Sequence, residues 1–159
     1  MPKAEDGAAI SKLIAACPPL DRNSAYCNLL QCSHFADTCI VAERDGYIAG
    51  WISGYRPPSE PDRFFIWQVA VSETARGAGL AGRMIDMLLA RPSAAGARAL
   101  ITTITPENAA SWALFEGYAR RRGLSFGKAP KFERERHFGG AHETEWEVSI
   151  GLPPAASAA

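Results

Sequence analysis

Residues Arg76-Gly77-Ala78-Gly79-Leu80-Ala81 lie inside a small-residue stretch, Val71–Met84, that holds three glycines and three alanines. Ordinary connections use Asn, Asp, Ser or Pro, and glycine costs backbone entropy. This composition therefore points to something approaching the main chain closely. The run before it, FFIWQVAV (Phe64–Val71), has strand character, and the run after it has helix character. The first N–H groups of a helix have no partner within it, and the helix dipole adds partial positive charge there. With no side chains at Gly77 and Gly79, phosphate oxygens can reach those N–H groups, and Arg76 adds a cation at the rim. The favoured chemistry is a grip on a pyrophosphate. A purely structural tight turn is the plain alternative.

The kind of pyrophosphate is narrowed by what is missing. A Walker turn ends in Gly-Lys-Ser/Thr, and this stretch has no such lysine. Gly77-x-Gly79-x-x-Gly82 matches a dinucleotide fingerprint nominally. That fingerprint closes the first strand of a parallel unit and needs an acid about twenty residues on. Here the next strand ends at Ile104 without one, and antiparallel strands come first.

Other reactive side chains are few. His142 follows Phe138-Gly139-Gly140, a segment with the freedom to close over a small ligand, and imidazole is the usual proton carrier near neutrality. His137 is a reserve, Glu143 an alternative acceptor, and His34 reads as a helix-end residue. Arg120-Arg121-Arg122 fits a solvated helix end favoured by the dipole, or a partner for a phosphate. Cysteines at 17, 27, 32 and 39 contain no Cys-x-x-Cys pair and read as buried thiols. No set of residues has metal-ligand spacing, so no metal is expected.

These groups need a scaffold. Glu5 to Ala16 predicts a helix ended by Pro18 and Pro19. A second helix follows, capped by Asn23 or Ser24, with Tyr26, Leu29 and Leu30 on its inner side. Asp45-Gly46 predicts a hairpin turn between two strands. Leu80, Met84 and Leu88, widened by Ile85 and Leu89, give a helix with one buried face ending near Arg91-Pro92. ALITTI is a strand, Asn108 opens a helix through Trp112 and Phe115 to about Arg122, and ETEWEVSI is a late strand. The fold class is α/β, antiparallel first, with a βαβ-like crossing later.

The chain has 159 residues, 47% of them hydrophobic, which favours one domain over 1–152 with a mobile tail at 153–159. Lys plus Arg and Asp plus Glu both count 17. The zero balance removes the electrostatic case for nucleic-acid binding. No apolar run approaches the ~20 residues that span a bilayer, and the N-terminus lacks a signal-peptide core, so a soluble cytoplasmic protein is expected.

The arrangement Arg76-x-x-Gly79-x-Ala81 with QVAV upstream resembles the acetyl-CoA motif of the GNAT acyltransferases, and Asn108-x-x-Ser111-x-x-Leu114-Phe115 resembles their later helix. LDRNSAYCNLLQCSHFADT, FIWQVAV, RGAGLAGRMI, TPENAASWALF and HFGGAHETE together resemble one branch, the L-2,4-diaminobutyrate acetyltransferases of ectoine biosynthesis. The resemblance implies a mixed, mostly antiparallel sheet flanked by helices, acetyl-CoA as co-substrate, a small diamino acid as acceptor, and a homodimer. It implies that Val69, Ala70 and Val71 run beside the pantetheine arm. Arg76, Gly77, Ala78, Gly79, Leu80 and Ala81 would hold the pyrophosphate, and Asn108 would touch CoA. Asp21, Tyr26, Trp67 and His142 are the implied acceptor pocket.

Two departures bear on mechanism. Many GNAT members carry a carboxylate base on the strand that is FFIWQVAV here; this strand has none, and Trp67 lies near that place. Many carry a Tyr acid seven residues after the helix Asn; here Phe115 stands there, without a hydroxyl. His142 is the candidate proton acceptor, and Tyr118, one turn beyond Phe115, the candidate donor to the thiolate. Another amine acceptor, or a CoA-binding module without catalysis, are the competing readings.

Overall fold

The structure, a computed structural model, describes residues 1–153. Two compact units are distinct, Met1–Arg56 with Ile66–Ala95, and Pro57–Phe65 with Gly96 onward. One mixed sheet has the strand order β1-β2-β3-β4-β6-β5: β1 Ile40–Arg44, β2 Tyr47–Tyr55, β3 Arg63–Val71, β4 Ala99–Ile104, β5 Phe126–Phe132 and β6 Glu145–Gly151. The β1–β2, β4–β6 and β5–β6 pairs are antiparallel, and β3 and β4 run parallel over Arg63↔Ala99 to Phe65↔Ile101. The mixed, mostly antiparallel sheet is the one expected.

The first unit holds α1 (Gly7–Ala15), α2 (Ala25–Ser33) and α3 (Leu80–Leu89) with β1, β2 and the later part of β3. Asp45 (φ 52°) and Gly46 (φ 77°) are both left-handed, as a two-residue hairpin turn requires. Ser24 caps α2, its Oγ accepting the Cys27 N–H at 3.1 Å. Ile10, Leu13, Ile14, Cys17, Cys32, Cys39, Trp51 and Ala70 form one core cluster. Complete burial of an aliphatic such as Ile10 contributes about 1.5–3 kcal/mol.

The expected inner face of α2 is corrected. Tyr26 is 69% and Leu29 40% exposed, Leu30 is half-buried, and the buried positions are Asn28, Gln31 and Cys32. The physical reason is hydrogen bonding: Asn28 Nδ2 donates to Ser11 Oγ of α1 at 2.7 Å, so a polar residue takes the inward place.

Beneath α3, Gly50 of β2 keeps the helix close. A Cβ there would lie 2.7 Å from Met84 Sδ and 3.3 Å from Leu80 Cδ2. Arg91, just past α3, donates to the carbonyls of Ala36, Asp37 and Cys39 at 3.4, 3.2 and 2.6 Å.

The second unit holds the first residues of β3 with β4, α4 (Ala109–Arg122), β5, α5 (Arg134–Phe138) and β6. Asn108 caps α4, and Gly123 (φ 63°) closes it in a left-handed C-cap. Neither β5 nor α5 is predicted by hydrophobic pattern: β5 is almost wholly exposed and contains Gly127 and Pro130. Of the expected tail at 153–159, only Pro153 lies within the described residues.

Candidate active site

In the first unit, β3 ends at Val71 and the chain makes a 3₁₀ turn, Glu73–Ala75, before the glycines. Gly77 (φ 78°) and Gly79 (φ 71°) both take the left-handed conformation that other residues resist. Gly79 is the N-cap residue of α3 and offers no side chain to the orphan N–H groups of that helix. Positions 76–79 are exposed, and a Cβ at Gly77 would meet nothing within 4 Å. The turn is thus exposed at the start of a ten-residue helix whose first N–H groups have no side-chain cap.

Arg76 does not stand off as a free rim cation. Its Nε donates to the Val71 carbonyl at 3.0 Å, and its Nη2 lies 3.5 Å from Cys17 Sγ. Arg83 folds back in the same way onto the Ala78 carbonyl. Two guanidinium groups therefore brace the turn from either side.

The loop before α2 is pinned to β3. Gln68 Nε2 donates to the Asp21 carbonyl at 2.7 Å, and Gln68 Oε1 accepts from Asn23 Nδ2 at 2.8 Å. This brings Asp21 to the strand residue adjacent to Trp67. Trp67 is 47% exposed and forms one wall of a cavity of about 230 Å³, with Leu30, Phe35 and Tyr55. Gln31 and Ser53 also line it, and among the described residues neither side chain has a hydrogen-bond partner. Cys27 lines the cavity too, its thiol pushed up by burial. Tyr26 does not line it; its ring is exposed on α2.

In the second unit, Asn108 Oδ1 accepts the Ser111 N–H at 3.1 Å, so it caps α4. Phe115 and Tyr118 are both buried at 2% exposure. The Arg122 guanidinium lies 3.9 Å from the centre of the Tyr118 ring, while Arg120 and Arg121 are exposed. His142 is half-buried, with its ring 4.7 Å from that of Phe138. Its Nδ1 is 2.8 Å from the Glu143 carbonyl oxygen. A carbonyl only accepts, so Nδ1 carries the hydrogen and the lone pair of the neutral ring sits on Nε2.

The alternatives to His142 are occupied otherwise. His137 Nδ1 accepts the Glu133 N–H at 2.8 Å and serves the start of α5. Glu143 forms an ion pair with Arg134, and His34 is the C-cap residue of α2. Elsewhere in this unit, Arg63 donates to Glu60 and Glu147 at 2.5 and 2.6 Å, and Lys131 reaches Glu147 at 2.9 Å. Burial disfavours the Glu147 carboxylate, but its Arg63 and Lys131 hydrogen bonds outweigh that and hold it below the usual carboxylate range. All four cysteines are free, and no group of three His, Cys, Asp or Glu among the described residues is placed to hold a metal.

Gln68 is the functional candidate that pattern reading passed over. The signal is present in the sequence: it carries the sole side-chain amide in the run Phe64–Val71.

A strand, an open glycine turn and a helix start with unpaired N–H groups on a mixed six-stranded sheet are parts that can hold a pyrophosphate. The chain belongs to the acetyltransferase (GNAT) family, whose model matches residues 8–118. Among its relatives, it is 53% identical over 150 residues to the L-2,4-diaminobutyric acid acetyltransferase of Methylotuvimicrobium alcaliphilum, covering 94% of this chain and 87% of that one. Against the enzyme of the same name from Vibrio cholerae the identity is 48% over 151 residues, covering 95% and 87%. The diaminobutyrate acetyltransferase EctA of Paenibacillus lautus, solved with L-2,4-diaminobutyric acid and coenzyme A, superposes with a TM-score of 0.89 at 37% identity, over 98% of this chain and 95% of that one.

Proposed function

We propose that the protein transfers the acetyl group of acetyl-CoA to the γ-amine of L-2,4-diaminobutyrate, giving N-γ-acetyl-L-2,4-diaminobutyrate and CoA in ectoine biosynthesis. The observation that carries this is the likeness to diaminobutyrate acetyltransferases over nearly the whole chain, at up to 53% identity. The open glycine turn is the local feature that agrees with it.

The chemistry is an attack of a neutral amine on a thioester carbonyl. The C–N bond forms, the C–S bond breaks, and one ammonium proton is released overall. An alkyl ammonium has a pKa of about 10, so a proton acceptor or a desolvating site is needed. The pyrophosphate rests on the turn Arg76 to Ala81, with Asn108 as a further CoA contact. The N–H groups of Val69, Ala70 and Val71 line the pantetheine arm and meet the oxyanion. Asp21 faces an ammonium, Tyr26 offers a hydroxyl and Trp67 forms a wall. His142, through Nε2, takes the proton, and Tyr118 returns one to the thiolate. β3 carries no carboxylate, which supports a base from another segment.

The two units act as one catalytic domain in a cytoplasmic homodimer. Tyr26, Leu29 and Phe35, all exposed in and after α2, give a second copy apolar surface to cover. Among the described residues, no helix is long and apolar enough to cross a membrane. The deciding experiment is a CoA-release assay with diaminobutyrate, ornithine, lysine and diaminopropionate, followed by NMR of the product. Diaminobutyrate is expected to be preferred and acetylated at Nγ. Preference for ornithine or lysine, or acetylation at Nα, would overturn the acceptor assignment. CoA binding without release in the presence of any of the four would point to a non-catalytic module.

A further inference from the structure

Gln68 lies on the face of β3 that also carries Phe64, Ile66 and Ala70, all buried, and is itself 5% exposed. A buried amide is tolerated where both its ends are satisfied. Here both partners come from one short segment: the Asp21 carbonyl takes the Nε2–H at 2.7 Å, and Asn23 donates to Oε1 at 2.8 Å. The same Asn23 amide lies 3.4 Å from Asn28 Oδ1 on α2, and Asn28 donates to Ser11 Oγ at 2.7 Å. Ser11 passes the chain on to the Gly7 carbonyl at 2.9 Å. Leu20 packs against the core cluster, but Asp21 and Arg22 beyond it are exposed, so past Leu20 the segment is tied to β3 by these hydrogen bonds. Its anchor on the sheet is the residue next to Trp67.

We propose that Gln68 is a positioning residue for acceptor recognition: its hold on the Asp21 carbonyl fixes the reach between the Asp21 carboxylate and Trp67, and so selects the chain length of the diamino acid. This rests on the reading that Asp21 receives an ammonium of the acceptor. Gln68 touches neither substrate nor cofactor in this scheme. A longer or shorter acceptor would place its charged end off the carboxylate. Freeing the loop lets Asp21 follow the ligand, which lowers affinity for the right acceptor and relaxes discrimination against its homologues.

The test compares Gln68→Met, similar in length but without the amide, and Asn23→Ala, which removes the partner of Oε1 together with the longer contact to Asn28 and leaves the Gln68 bond to the Asp21 carbonyl. KM and kcat are measured for diaminobutyrate, ornithine and diaminopropionate, with KM for acetyl-CoA and a thermal melt as controls. Gln68→Met is expected to raise KM for diaminobutyrate about tenfold, the worth of one well-placed hydrogen bond. Saturated kcat and KM for acetyl-CoA stay within about twofold, and the kcat/KM preference for diaminobutyrate over ornithine falls. Asn23→Ala moves the same quantities in the same direction by less, and decides the matter if Gln68→Met does not fold. An unchanged preference ratio in the folded variants, or an equal rise in KM for acetyl-CoA, overturns the proposal. If the wild-type enzyme prefers another acceptor, the functional reading fails separately. The ratio between that acceptor and its one-methylene homologue then reads the positioning role.

Discussion

Arg76 donates through Nε to the Val71 carbonyl oxygen at 3.0 Å, tying the last residue of β3 to the head of the glycine turn. The guanidinium is thereby fixed before any anion arrives, and less side-chain entropy is lost on binding. Replacing Arg76 with Ala is expected to raise the acetyl-CoA Kd about five- to tenfold, as for loss of one charge-assisted contact at an exposed rim. Isothermal titration calorimetry reads this, and a Kd within about twofold of wild type would leave Arg76 with a purely structural role.

Gly79 separates steric from electrostatic effects. Its φ of 71° penalises any side chain, but a Cβ there would meet only Arg83 Nη1, at 3.5 Å. Gly79→Ala should therefore cost about 1 kcal/mol of stability and weaken acetyl-CoA binding modestly. Gly79→Glu adds bulk and negative charge and is expected to weaken it by more than tenfold while the protein remains folded. Equal affinities for the two variants would remove the phosphate from this turn.

His142 is held with Nδ1–H on the Glu143 carbonyl and its lone pair on Nε2. If Nε2 takes the acceptor's proton, His142→Ala lowers kcat by about a hundredfold, the usual share of a general base. The acid-side inflection of the kcat/KM profile also disappears. Stopped assays across the pH range decide this, and a retained inflection would assign the proton to water or to another group.

Glu147 joins Arg63 of β3 and Lys131 of β5. Its lowered pKa means the unfolded chain binds the proton more readily than the folded one. The pair stabilises the fold above the usual carboxylate range, and that contribution fades as pH falls through it. Glu147→Gln is expected to lower stability at pH 7 by about 1–3 kcal/mol and to flatten the acid limb of the melting-temperature curve. An unchanged acid limb would contradict the assignment.

Cys39 is fully buried, and burial pushes its thiol up to about 12 from the ordinary 9.0. The folded protein keeps this proton after the unfolded chain has lost it. Stability is thus complete below about pH 9 and declines as pH rises from there through the folded value. Cys39→Ala should make the alkaline limb of the stability curve shallower, at the cost of a small cavity. Denaturant titrations between neutral and alkaline pH measure it, and parallel limbs for the two proteins would refute it.

Local rules made much of this molecule legible. The Asp45-Gly46 turn, the strand before the glycines, the buried stripe Met84, Ile85 and Leu88, and the Asn108 cap all follow from turn chemistry and periodicity. The glycine turn was readable because positive φ leaves a compositional mark. What was hidden depends on partners distant in sequence. The inward face of α2 is set by Asn28 finding Ser11, 17 residues away, and the Asp21 loop by Gln68, 47 residues away. Strand β5 has no alternating pattern because neither of its faces is buried, and only its pairing with β6 makes it a strand. The ties of His137 and Glu143 likewise appear only once α5 exists.

Strand β5 ends the sheet, and beside Lys131, which Glu147 holds, it carries Lys128 and Pro130 on a nearly bare ribbon. Lysines ward off a foreign strand by charge, and proline does so by lacking an N–H. The two guards respond differently to brine. At 1 M ionic strength charges are muffled beyond about 3 Å, so Lys128 loses its reach, whereas the gap at Pro130 is covalent and stays. At such ionic strength, protection of this rim against aggregation falls to one imino acid, and Pro130→Thr should first clump the protein in strong salt and not in dilute buffer.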